Sequence, residues 1–154
     1  MTEASQSLTW KGDGITARFR QAQIIGVNVT MSECVQHAKD NHSWQNRSGT
    51  LEGSLNIVDF AKAVPGGVVG RWGSQDVVYA LIHELGGVIV PTKAKALAIP
   101  QPDGSVRFAS KVTIRAQPYL RPAADAKYPN LPGNIRKAYE RLGAQAGDAP
   151  PGGA

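Results

Sequence analysis

The sequence predicts an α+β domain, with a small, mostly antiparallel sheet packed against a long N-terminal helix and a second, shorter helix, and with a long extended β-hairpin or loop. Three observations predict it. Apolar residues recur at three- and four-residue steps between Ile15 and Lys39. Two β-branched runs flank the turn Pro65-Gly66-Gly67. The stretch Val88 to Ile114 has no helical period and carries Pro91, Pro100 and Pro102, which suit an edge or arm better than a central strand.

Taken in order, "LTWKGDG" (Leu8 to Gly14) reads as a short extended piece ending in a Gly-Asp-Gly turn. The helix then runs from Ile15 to Lys39 with Asp13 as its N-cap and Phe19, Ala22, Ile24, Val27, Met31, Val35 and Ala38 on one face. Gly26 stands mid-helix at a cost of about 1 kcal/mol. A polar loop from Asp40 leads to one helical turn capped by Thr50. "LNIVDFAKAV" (Leu55 to Val64) and "VVGRWGS" (Val68 to Ser74) make a hairpin. Ser74 or Asp76 caps a helix through Leu85, whose apolar face is Val77, Val78, Leu81, Ile82 and Leu85, and Gly86 is its stop. After the extended region comes a short helix near Tyr128. A last helix, Asn134 to Gly143, has Asn134 as N-cap and Gly143 as its end. Residues 1–143 form the single domain, and 144–154 read as a disordered Gly/Pro-rich tail.

At 154 residues the chain is long enough to bury a core without disulfides or metal. Its one cysteine, Cys34, excludes an internal disulfide and reads as a small buried hydrophobe. No secretory signal opens the sequence and no apolar run is long enough to span a membrane, so a soluble protein made in the cytoplasm is expected. The formal charge of +5 and a pI near 9.6 suit contact with polyanions without demanding it.

The stretch "VVYALIHELGG" holds His83-Glu84, the opening of a metalloprotease motif. Such a zinc site needs a second histidine four residues on, and that position is Gly87. No metal or cofactor is expected. His83 and Glu84 are expected on the face opposite Leu81 and Leu85, toward solvent or a partner. His37 and Asp40, with His42 beyond, lack a nucleophile framed by an elbow motif, so no catalytic dyad and no enzyme activity are expected. Gly66-Gly67 and Gly86-Gly87 fit turns rather than phosphate loops. The cations Lys93, Lys95, Arg107, Lys111 and Arg115 all fall in the extended region, where a hairpin would spread them into a basic ribbon without interleaved aromatics.

Four segments, in this order, resemble the tail-completion or head–tail joining minor tail proteins of long-tailed bacteriophages. They are "LTWKGD", "NRSGTLEGSL", "YALIHELGG" and "TIRAQPYLRPA", followed by the helix "NIRKAYERL", and together they span Leu8 to Leu142. The resemblance implies a structural virion protein of the tail or neck, with copies forming a ring, expected to be a hexamer, at the head-proximal end of the tail. That ring would join the tail tube to the head connector with DNA passing through its lumen. A tail terminator that caps tube growth is the alternative within this reading, and a basic nucleic-acid-binding module the alternative outside it. The resemblance places Tyr79, His83, Glu84, Gly86, Gly87, Tyr119, Leu120 and Arg121 at subunit or partner contacts, with Gln117 to Pro122 a strap seating Tyr119 and Leu120 under the sheet. It places Lys93, Lys95, Arg107, Lys111 and Arg115 toward channel DNA or a neighbour through non-specific phosphate attraction.

Overall fold

The computed structural model describes residues 12–43, 49–77 and 79–147. Its elements are α1 (Gly12–Asp40), α2 (Thr50–Ser54), β1 (Leu55–Val64), β2 (Gly67–Ser74), α3 (Ala80–Leu85), β3 (Gly87–Ile89), β4 (Leu97–Pro100), β5 (Val106–Ala109), β6 (Val112–Ile114), α4 (Leu120–Lys127), a 3-10 turn (Tyr128–Asn130) and α5 (Leu131–Gly147). The domain is α+β. Its strands form three two-stranded antiparallel ladders, β1–β2, β3–β6 and β4–β5. Leu8 to Lys11, Asn46 to Ser48 and the end of the tail lie outside the described residues.

Helix α1 is the spine, about 44 Å long at 1.5 Å per residue. It begins at Gly12, so Asp13 lies within the first turn rather than at the cap, where its carboxylate still favours the helix dipole. Its buried seam is Ala22, Gly26, Thr30, Met31, Cys34 and Ala38. The spacing of four along 22, 26, 30, 34 and 38 selects small residues, and α5 and α4 pack there. Phe19, expected on the buried face, is exposed, and Ile24, Val27 and Val35 are only partly covered. Gly26 explains the shift: a Cβ there would stand 2.5 Å from Ile135 Cγ1 and 2.8 Å from the Ile135 backbone nitrogen. The glycine that costs helix propensity is the point where α1 and α5 approach most closely.

Asn134 belongs to this contact rather than to a helix start. Its buried amide donates to Thr30 Oγ1 at 3.0 Å and to Glu33 Oε1 at 3.3 Å, while Asn130 donates to Glu33 Oε2. The residues expected to break the chain before Asn134 instead carry it through the 3-10 turn into α5. Gly143 does not end α5, which continues to Gly147 and so takes in the start of the expected tail. The Arg18 guanidinium occupies the space a Gly143 side chain would need, lies 3.8 Å over the Tyr139 ring and donates to the Tyr139 carbonyl.

The β1–β2 hairpin lies on α1. Register shifts follow Ile57 and Asp59, and Asn28 of α1 accepts the Ala61 amide at 2.8 Å within the second of them. Gly70 leaves room for Met31, whose Cε would lie 2.6 Å from a Cβ placed there. At the far end of α1, Ala38, Leu51, Leu55, Ala80, Tyr119 and Ala123 form one core cluster, with Trp72, Val77 and Leu120 against it. Its two largest fully buried side chains, Tyr119 and Leu55, each contribute about 1.5–3 kcal/mol by burial. Thr50 is the first residue of α2, and Gly49, at φ 69°, stands at the cap in its place.

Gly26→Val puts a branched side chain into the α1–α5 contact. We expect it to lower stability by about 1–3 kcal/mol, read as a shift in the urea unfolding midpoint at unchanged slope.

Candidate functional site

The region that gathers most of the predicted site residues is the joint between α3 and α4. Helix α4 begins at Leu120 with Tyr119 at its cap position, and no side chain from Gln117, Pro118 or Tyr119 caps it. Its first N–H groups need an acceptor from elsewhere. Glu84 supplies one: Oε2 accepts from the Tyr119 amide at 2.7 Å and the Leu120 amide at 3.0 Å, and Oε1 accepts from the Arg121 amide at 3.0 Å. A carboxylate at a helix N-terminus is also favoured by the dipole. Alongside it, the Gln117 amide donates to the His83 carbonyl at 2.7 Å.

This corrects the expected orientation of α3. The helix starts at Ala80 with Tyr79 at its cap, later than the expected Ser74 or Asp76, and Asp76 takes φ 59° in the turn before it. His83 and Glu84 are half-buried and turned toward the body, and the Tyr79 and His83 rings meet edge-on at 5.8 Å. Leu81 and Leu85, expected on the buried face, are 68 % and 69 % exposed. Six residues are too few for apolar periodicity to fix a helix's rotation, and the three bonds to Glu84 fix it instead.

Gly86 ends α3, as the sequence predicts, at φ 69° and ψ 179°, a region held almost only by glycine. A Cβ there would also stand 2.7 Å from the Ala116 nitrogen. Gly87, at φ 159°, opens β3 beside Ile82. From this neck the chain leaves as the extended hairpin, drawn by β3–β6 at the root and β4–β5 at the tip. The tip turn is closed by the Gln101 amide on the Ser105 carbonyl and by Asp103, which accepts from the Ser105 amide and hydroxyl. Those two bonds hold the exposed Asp103 carboxyl below its ordinary range.

Lys93, Lys95, Arg107, Lys111 and Arg115 are all exposed on this hairpin and its flanks. Ten of the seventeen lysines and arginines, but only four of the twelve acids, follow Gly86, so the net positive charge resides in that half of the chain. Tyr119 and Leu120 pack inward, as the strap reading expects. Tyr119, 1 % exposed, therefore offers no surface to a neighbour, whereas the Arg121 side chain is exposed. Burial, and then the nearby Glu84 carboxylate, raise the Tyr119 phenol above its ordinary value.

The other chemical candidates stand apart. Asp40 accepts from Gln36 through both oxygens, and His42 Nε2 lies 3.9 Å from Glu52 Oε2. His37 Nδ1 is buried without a hydrogen-bond partner among the described residues. No three His, Cys, Asp or Glu side chains among the described residues group as metal ligands, and no described helix is long and apolar enough to cross a membrane. Cys34 is fully buried, and burial, then Glu33, push its thiol up to about 11.

The sequence reading missed the Glu84 cap. Its signal is negative: a helix opening at Leu120 without Ser, Thr, Asp or Asn before it must take its acceptor from a distant residue. No protein-family model, curated protein or solved structure matches this chain.

Replacing Glu84 by Ala should cost about 2 kcal/mol, because three amides at the start of α4 lose one charged acceptor. Glu84→Gln, which keeps an oxygen there, should cost less, and chemical unfolding of the two variants checks the order. Cys34 should resist a thiol reagent in the native state and react only as the chain opens. Because its folded pKa is raised, its contribution to stability is complete below about pH 9 and is lost as pH rises toward about 11. Unfolding midpoints taken across that window should fall, and fall less in Cys34→Ala.

Proposed function

We propose that this chain is a structural virion protein of a long-tailed phage, whose copies form a ring, expected to be a hexamer, at the head-proximal end of the tail. In this reading the ring joins the tail to the head connector, and the genome passes through its lumen. The chain acts by assembly, without catalysis or cofactor, and is made in the host cytoplasm before entering the tail or neck.

The observation that carries the reading is spatial. Three of the four resembling segments meet in one core cluster: Leu51 and Leu55 from "NRSGTLEGSL", Ala80 from "YALIHELGG" and Tyr119 from "TIRAQPYLRPA". The last two are also bound to each other through Glu84. Residues that are scattered in sequence thus have one shared task, closing the neck from which the hairpin leaves. A hairpin bearing exposed Val88, Val90, Val106 and Phe108, with five exposed cations on it and its flanks, is suited to assembly contacts on one side and phosphate on another. A tail terminator would use the same features at the end of the tube, and a free nucleic-acid-binding module would use the cations alone.

Deleting the gene from its phage or prophage and viewing the lysate by electron microscopy tests the reading. DNA-filled heads beside unjoined tails of normal length are expected. Tails of uncontrolled length would make the chain a terminator, and intact infectious particles would overturn the virion role.

A further inference from the structure

Three of the four resembling segments meet at the neck, and the first does not. "LTWKGD" enters the structure only at Gly12, where α1 opens. Leu8 to Lys11 lie outside the described residues. The surface beside that entry point is apolar. Ile15 and Phe19 are one turn apart on α1 and stand 47 % and 48 % exposed. Gly12 belongs to the same stripe, because residues three and four apart share a helix face.

The stripe leads into a groove. Helices α1 and α5 run antiparallel, with Arg18 against Tyr139 and Gly26 against Ile135. Beside this contact Phe19, Leu131, Pro132, Ile135, Arg136 and Tyr139 line a groove of about 480 Å³. The Phe19 and Tyr139 rings meet edge-on at 6.2 Å at the end nearest Gly12. Arg136 is exposed, and the other five lining residues are apolar or aromatic.

The chain that leads into α1 has the residues and the length to cover this surface. In an extended segment residues two apart project to the same side, so Leu8 and Trp10 share a face. With Gly12 as the first helical residue, Lys11 takes the cap position, Trp10 the position before it and Ile15 the fourth helical position. Apolar residues at those two positions are the pair that closes a hydrophobic staple. Phe19 lies seven residues into α1, about 10 Å along its axis. The four residues from Gly12 back to Leu8 span up to about 13 Å. A segment tethered this close to its site has an effective concentration on the order of millimolar, which favours it over a free copy.

We propose that Leu8 and Trp10 fold back along α1 of the same chain, Trp10 seating on Ile15 and Phe19 and Leu8 entering the groove beside Ile135 and Tyr139. The segment is then a clasp across the α1–α5 pair, and its place in the sequence pattern is to close that groove. The inference concerns the folding of one chain and stands whether or not the chain belongs to a virion.

The test uses the full chain with Trp44→Phe and Trp72→Phe, which leaves Trp10 as the only tryptophan. Its fluorescence in buffer should be blue-shifted from that of the urea-unfolded chain and poorly quenched by acrylamide. Adding Phe19→Ser should raise the quenching several-fold while urea unfolding stays cooperative. Native emission equal to that in urea, or quenching that ignores Phe19→Ser, would overturn the proposal. Because Trp72 donates to the Tyr128 hydroxyl, a second chain keeps every tryptophan and carries Leu8→Cys and Arg136→Cys. Cys34, the only native cysteine, is buried and does not compete. A short bismaleimide should link the two new cysteines within one chain, with a yield that does not depend on protein concentration and that falls on adding Phe19→Ser. Covalent dimer instead would place a second copy in the groove and overturn the proposal, and so would the absence of any link.

Discussion

One carboxylate sets the geometry on which the rest depends. Glu84 receives three successive backbone amides at the start of α4 and so fixes α3 against α4. With the Gln117 amide on the His83 carbonyl and Gly86 close against Ala116, it closes the neck through which residues 86–116 leave and re-enter the body. Each of these contacts is between groups that are distant in sequence, and each holds one side of the same opening. Tyr119 then drops into the cluster at the far end of α1, so hairpin root and core are built from the same residues. The cost of ordering a hairpin of this length is lowered at its root, where the chain ends are already held together.

The same constraint explains what the sequence showed and what it hid. The long α1, the β1–β2 hairpin, the glycine at the end of α3 and the extended region were legible, because each follows from local rules of periodicity, turn chemistry and backbone angle. The α1 seam was displaced because Gly26 and Thr30, neither of them apolar markers, are where α5 comes close. Asn134 resembles an N-cap, yet its amide is used by Thr30 and Glu33 across the helix pair, and α5 starts earlier. The rotation of α3 was hidden most completely. Leu81 and Leu85 read as a core face by spacing, but a helix of six residues takes its orientation from its strongest tertiary bonds, and those belong to Glu84. The Glu84 role was legible only through the missing cap before Leu120.

The molecule is divided between a body with its own core and a hairpin whose apolar and charged side chains face outward. His83 gives its carbonyl to the neck, Asp40 is engaged by Gln36, and the Cys34 thiol is buried and held protonated through the neutral range. The proposed ring assigns work to the exposed parts: apolar faces to neighbouring copies, cations to phosphate. The buried parts of the resembling segments hold those surfaces in place, which gives the sequence pattern a physical reason.

Amide hydrogen exchange at Tyr119, Leu120 and Arg121, in the native chain and in Glu84→Ala, tests the central claim most directly. If Glu84 closes the neck, these three amides are protected in the native chain. They lose that protection selectively on substitution, while the buried amides of α1 keep theirs. Three amides that exchange as fast as the hairpin tip in the native chain, or that ignore the substitution, would contradict the account.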